Sequence, residues 1–283
     1  MLHRLKTLTL IALCLLHSVV GAQQQVMVPS LDMRDGQAVQ MPGFWFAAHK
    51  AMTAPAMLLL HGCGGPYSSS GQLSSRMKSA AASLNAMGIS VLVTDSLTPR
   101  GEKELCTQRI GSRKLTQTER RRDALGALRW LSTRADPERL GLLGWSNGGS
   151  TLLAASNQND PEVLASPVQA SLAIAFYPGC EAELKHGYIA GMPILLLVGA
   201  ADDWTPAAPC KALAAADPLV EIEVYPGAYH GFDANSTAQL RKDVPNGVHP
   251  GQGVHVGGNP TARAASAKRV AEFLRENWQP LPP

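Results

Sequence analysis

Gly144-Trp145-Ser146-Asn147-Gly148-Gly149 carries the spacing G-x-S-x-G. It follows the apolar run Leu140-Gly141-Leu142-Leu143 and precedes a stretch of small residues that reads as a helix. Between a strand and a helix, glycines permit a turn sharp enough to lift a serine hydroxyl clear of the backbone. The unpaired N–H groups opening the helix then face any negative charge that develops there. Ser146 is therefore a candidate nucleophile, against the plainer alternative of a helix-capping serine in a glycine turn.

Such a hydroxyl needs a base to take its proton and an acid to orient that base. Asp202 and Asp203 follow the apolar run ending at Val198, and His230 follows the run ending at Tyr225. The order serine, acid, histidine is the usual one for nucleophiles on a strand-turn-helix. His49, His61, His186, His249 and His255 compete for the role of base, but only His230 follows the last strand, flanked by Tyr229 and Gly231. The pattern of residues alone leaves both aspartates open. Backbone donors for an oxyanion would come from Asn147 and from the turn His61-Gly62-Cys63-Gly64-Gly65, with Cys63 ahead of Gly64.

Converging loops require a sheet whose strands end on the same side. Met57–Leu60, Ile89–Val93, Leu140–Leu143, Ser171–Tyr177, Ile194–Val198 and Val220–Tyr225 read as short strands, most of them apolar throughout. They alternate with helical patterns over residues 72–87 and 117–133 and from Asn259-Pro260 through Trp278. Continuous apolar strands separated by helices predict a parallel sheet covered on both faces. Ligands bind such sheets beyond the carboxyl ends of the strands, where Ser146, the aspartates and His230 all fall. Val26–Leu31 and Val39–Phe46 instead read as amphipathic strands, an antiparallel N-terminal hairpin on the sheet edge.

The 283 residues are 45% apolar and 17% charged, which excludes both a disordered chain and a membrane bundle. A net charge of +3 is not the basic footprint of a nucleic-acid binder. Arg4 and Lys6, the apolar stretch Leu8–Val20 and the small residues Val20-Gly21-Ala22 form a secretory signal pattern over residues 1–22. Residues 23–283 are then expected to form one domain, exported to the periplasm or medium and without stable membrane insertion. Cys63, Cys106, Cys180 and Cys210 remain after the leader, an even number that in an exported chain points to two disulfides.

From about residue 55 onward the chain resembles the dienelactone hydrolase family of α/β-hydrolases. The carrying segments are Leu60–Pro66, Asp95-Ser96 with Pro99-Arg100-Gly101, Gly144–Gly149, Ala175–Cys180, Asp202–Pro206 with Cys210, and Tyr225–Phe232. The resemblance implies an α/β-hydrolase fold and a triad of Ser146, Asp202 and His230. Asp202, not Asp203, stands at the family's spacing before Thr205-Pro206. The type enzymes carry cysteine where this chain has Ser146, and they have no secretory leader. A serine there suits ester or lactone hydrolysis through an acyl-enzyme. In this fold the strands before Cys63 and Cys106 are neighbours, as are those before Cys180 and Cys210. That implies the disulfides 63–106 and 180–210, against four reduced thiols. Cys63 as a second nucleophile is the minor reading, because it would then be paired.

Other residues admit two readings each. Arg100, on the active-site side, could fork onto a substrate carboxylate or form a surface salt bridge. Trp204 and Trp145 could line an apolar pocket, Trp145 more naturally packing under the turn. Arg120-Arg121-Arg122 could bind an anion or membrane surface, but reads better as a solvated helix face paired with Glu119 and Asp123. His249, His255 and Asp243 match no metal-ligand spacing. The sequence thus predicts a small-molecule ester or lactone hydrolase that needs no metal or organic cofactor. The alternatives are a peptidase or acyltransferase with the same triad, and a non-catalytic envelope binding protein.

Overall fold

The apolar runs do become strands. In the computed structural model, which describes residues 23–279 and residue 281, β1 (Gln24–Arg34) and β2 (Gln37–Phe46) precede β3 (Ala56–Leu60). The leader inferred over residues 1–22 lies outside the described residues. Helix α1 (Ser75–Ala86) leads to β4 (Ser90–Thr94), and α2 (Gln117–Leu131) to β5 (Leu140–Trp145). Helices α3 (Asn147–Ser156) and α4 (Pro161–Leu164) precede β6 (Leu172–Phe176), and α5 (Glu181–His186) precedes β7 (Ile194–Gly199). Helix α6 (Ala207–Ala216) leads to β8 (Val220–Tyr225), a small ribbon of β9 (Gln239–Arg241) and β10 (Val254–Val256) follows, and α7 (Pro260–Asn277) closes the order.

One eight-stranded sheet has the order β1-β2-β4-β3-β5-β6-β7-β8. It is parallel from β4 to β8, with β2 antiparallel to β4 and the β1–β2 hairpin at the edge. The hairpin turns at Asp35-Gly36, both in the left-handed region that a two-residue turn of this type requires. Alternate residues of the buried strands serve opposite faces. Leu58, Leu142, Ala173 and Leu196 pack with Leu128 of α2, Leu152 of α3 and Leu213 of α6. Met57, Leu143, Ile174 and Leu197 pack with Leu84 of α1, Phe273 of α7 and Trp278 just beyond it. Such two-sided burial explains why these strands read as unbroken apolar runs.

The boundaries differ from expectation where a local hydrogen bond intervenes. Helix α1 begins after Ser74, whose hydroxyl caps Met77 N–H, and Leu73 is held before it in a bridge to Tyr67. Helix α2 starts at residue 117 as expected, where Thr116 and Glu119 form a reciprocal capping box. Helix α6 had no distinct sequence signal, since only Cys210 and Leu213 of its ten residues are buried. The ribbon has no sequence signal because its strands are only three residues long, too short for an alternating pattern. Among the described residues no helix is long and apolar enough to cross a membrane.

Candidate active site

Strand β5 ends in the glycine turn, and Ser146 sits at its apex with φ 55° and ψ −119°. A non-glycine residue seldom adopts that conformation. Two glycines make it possible. A Cβ on Gly144 would stand 2.3 Å from Gly148 O, and one on Gly148 would stand 2.1 Å from Leu60 O. Neither position admits a side chain, so α3 crosses directly over β5 and β3. Ser146 N–H donates to Phe176 O at 2.9 Å, fixing the apex against β6.

The loop after β7 supplies Asp202. Asp202 Oδ1 accepts the N–H groups of Trp204 and Thr205, each at 2.9 Å. Its Oδ2 lies 2.9 Å from His230 Nδ1 and 3.0 Å from Thr205 Oγ1. The loop after β8 supplies His230, whose Nε2 lies 2.8 Å from Ser146 Oγ. A carboxylate facing Nδ1 requires the hydrogen there, which leaves Nε2 to accept from the serine hydroxyl. The side chains of Asp202 and His230 are 0% and 4% exposed, so water competes for neither. The His230 ring lies 4.6 Å from both the Trp204 and the Tyr177 ring centroids, which restricts its orientation.

Cys63 and Asn147 flank the serine from two directions. A Cβ added to Gly62 would stand 3.6 Å from Ser146 Cβ, so the turn after β3 abuts Ser146. Neither the Cys63 nor the Asn147 N–H has a backbone acceptor outside regular helix and strand bonding among the described residues. Asn147, the first residue of α3, has no intrahelical one. Beside them opens a cleft of about 550 Å³, lined by Asn147, Ser150, Gly179, Trp204, Thr205 and Pro206 among others. Cys63 is bonded to Cys106 and Cys180 to Cys210, the pairing expected. The first bond tethers the turn after β3, and the second joins the loop after β6 to α6.

The family model for dienelactone hydrolases matches residues 41–277. The chain belongs to the dienelactone hydrolase family. No curated protein sequence matches it. Solved structures share its fold at low identity. A dienelactone hydrolase-like promiscuous phosphotriesterase from metagenomic libraries is 18% identical, with a TM-score of 0.63 over 91% of this chain and 99% of that one. Esterase 2 of Thermogutta terrifontis, phosphorylated by paraoxon, is 18% identical, with a TM-score of 0.62 over 92% and 96%. A carboxylesterase of Lactobacillus plantarum WCFS1 is 16% identical, with a TM-score of 0.61 over 90% and 97%.

Within this dienelactone hydrolase fold several polar residues depart from expectation. Arg100 is neither a free substrate ligand nor a surface residue. Its side chain is 1% exposed and binds Asp123 at 2.7 Å and Asp32 at 2.8 Å. It also donates to Ser96 O at 2.8 Å. Burial alone would lower its pKa, but the hydrogen bonds and charges of Asp123 and Asp32 outweigh that and raise it. The Arg120–Arg122 run is not one solvated face. Arg121 and Arg122 lie on the outside but pair with Glu162 and Asp160, not with Glu119 and Asp123. Arg120 is 1% exposed and points inward. It donates to Asn147 Oδ1 and, at 2.8 Å, to His61 O.

Asp203 turns away from the serine and binds His255 instead, Oδ2 to Nδ1 at 2.7 Å. His61 is structural: Nδ1 meets Gly62 O at 2.7 Å and Nε2 accepts Ser96 N–H at 3.3 Å. Burial, reinforced by the Arg120 charge, holds its pKa well below the usual histidine value. Trp145 packs under the turn against Phe176, and its Nε1 donates to Asp233 Oδ2 at 3.0 Å. Asp233 was not singled out in the sequence. It also takes the Tyr177 hydroxyl at 2.7 Å and pairs with Arg76 at 3.1 Å, holding one wall of the His230 ring. Its position three residues after His230 was the only hint.

Proposed function

We propose that the chain is a serine hydrolase that cleaves carboxylic esters or lactones through an acyl-enzyme. The observation that carries this reading is the unbroken hydrogen-bonded line Asp202–His230–Ser146. In this mechanism Ser146 Oγ attacks the ester carbonyl carbon while His230 Nε2 takes its proton. The carbonyl π pair moves onto oxygen, where the N–H groups of Cys63 and Asn147 receive the charge. Collapse re-forms the carbonyl and breaks the bond to the alcohol oxygen, which leaves with the proton from His230. Water then attacks the acyl-Ser146, gives its proton to His230, and the second collapse frees the acid and restores the serine hydroxyl. Asp202 holds the imidazole in the required tautomer and stabilises its cation.

The solved esterase and carboxylesterase neighbours support an ester substrate. The cleft lined by Trp204 and Pro206 suits a small molecule with an apolar part. Trp204 serves there as a substrate-binding wall. Residues 23–283 act in this reading as one exported domain. The leader pattern and the two disulfides support export.

A short-to-long series of p-nitrophenyl esters tests the proposal with the purified mature protein and Ser146→Ala. Turnover by the wild type that the alanine variant lacks supports it, and the profile of chain length then describes the acyl pocket. Equal inactivity of both proteins across esters and lactones would overturn it.

A further inference from the structure

Arg120 is the one arginine of its run that the helix turns into the core. Its neighbours Arg121 and Arg122, like Arg100, each have carboxylate partners. Arg120 has no carboxylate within salt-bridge distance among the described residues. Its Nε is buried without an acceptor. A buried charge that touches no carboxylate is costly and is seldom retained without a use, and the Asp123 and Asp95 carboxylates act on this one only from beyond contact distance. Burial draws the pKa down to about 10, so the group remains a cation at neutral pH.

Both bonds of the guanidinium end on the segments that bear the oxyanion donors. One reaches the side chain of Asn147, and the other the carbonyl of His61, two residues before Cys63. These segments belong to different crossings of the sheet, after β5 and after β3, and are 86 residues or so apart in the chain. A planar fork that bonds both holds their separation more tightly than packing alone.

We propose that Arg120 is a positioning residue for the oxyanion site. It braces the Asn147 and His61–Cys63 segments at the separation a tetrahedral intermediate needs, and it supplies the positive field behind them. The transient alkoxide on the substrate carbonyl oxygen then adds to the counter-charge that Asp123 and Asp95 supply from beyond contact distance. This rests on the hydrolase reading above. The residue does not touch substrate, so its removal should weaken binding of the transition state and leave that of the ground state alone.

The test compares wild type, Arg120→Lys, Arg120→Met and Asn147→Ala, with Ser146→Ala as control. Asn147→Ala removes the acceptor of the brace but keeps the backbone N–H. Each is assayed for p-nitrophenyl ester hydrolysis, thermal unfolding, and inhibition by a trifluoromethyl ketone that adds to serine as a tetrahedral oxyanion. Direct loss of one oxyanion donor costs about 10²–10³-fold in kcat. Loosening both donors from behind should cost about 10–100-fold in kcat with KM within about threefold. The inhibition constant of the ketone should rise in proportion to KM/kcat across the series. Lysine keeps the charge but not the fork, and should restore only part of the rate.

A folded variant set with kcat within about threefold of wild type would overturn the proposal. So would a loss of kcat that leaves affinity for the ketone unchanged, as a merely structural role would give. If Arg120→Met does not fold, the lysine and Asn147 variants decide. A wild type no more active than Ser146→Ala would remove the hydrolase reading itself, and this proposal with it.

Discussion

Asp202 and Asp203 are adjacent, and each holds the Nδ1 of a histidine, yet the two pairs have different surroundings. In the Asp202–His230 pair the side chains are 0% and 4% exposed, and in the Asp203–His255 pair they are 29% and 41% exposed. The first acid is pinned by two backbone N–H groups and aims its histidine at a hydroxyl. The second accepts His255 N–H as well as the ring, and its carbonyl accepts Val248 N–H. That makes it a clasp for the β9–β10 segment, whose end Gly257 N–H in turn reaches His230 O. Residue type does not distinguish a relay from a clasp. Burial and the third partner do.

The contrast predicts unequal costs for the same chemical change. Asp202→Asn should lower kcat about 10⁴-fold at neutral pH with the fold intact, because the imidazole loses its required tautomer. Asp203→Asn should change kcat less than about fivefold, since an exposed pair is worth no more than about 1 kcal/mol. Side-by-side ester kinetics check this, and comparable losses would break the distinction.

The arginines repeat the contrast. Arg100→Met strands Asp32 and Asp123 in the interior and should cost about 3–5 kcal/mol in urea unfolding. Glu162→Gln, at the half-exposed pairs with Arg121 and Arg122, should cost less than about 1 kcal/mol.

The histidines extend it to pH. His61 is held neutral in the fold, so below its ordinary value of 6.5 the unfolded chain binds a proton that the folded chain refuses. The stability it contributes is complete above that pH and falls by about 1.4 kcal/mol per unit below it. Unfolding between pH 6.5 and 5 should show that slope in the wild type and lose it in His61→Gln. Smallest of all, the Glu162 carboxylate is held below its usual value by hydrogen bonds from Arg122 and Arg121. Its contribution is present above pH 4.5 and fades as pH falls through the lower folded value, so the Glu162→Gln difference should vanish in acid.

The same distinction explains what could be read from the sequence. Strands β3 and β5 to β7 announce themselves because burial on two faces leaves no polar residue in them. Ser146 directly follows such a strand and His230 follows β8, whose Glu221 and Glu223 alternate with apolar residues, and the structure brings the two side chains within hydrogen-bond distance. Asp202 needed the family spacing, since Asp203 fits the same loop. Arg100 and Arg120 differ from expectation because an arginine ordinarily lies at the surface, and nothing local in the sequence signals its partner. Asp32 lies 68 residues from Arg100, and His61 lies 59 residues from Arg120. Whether a charge is buried depends on which distant segment meets it, and that is decided by the topology.

The central claim is that Ser146 is the atom acylated and that the buried pair activates it. Reaction with paraoxon, followed by intact-mass and peptide mass spectrometry, tests it most directly in wild type, Ser146→Ala, Asp202→Asn and Asp203→Asn. The account predicts one diethylphosphoryl group on the peptide containing Ser146, none in Ser146→Ala, slow labelling in Asp202→Asn and near-normal labelling in Asp203→Asn. A label on another residue, or equal labelling of the two asparagine variants, would contradict it.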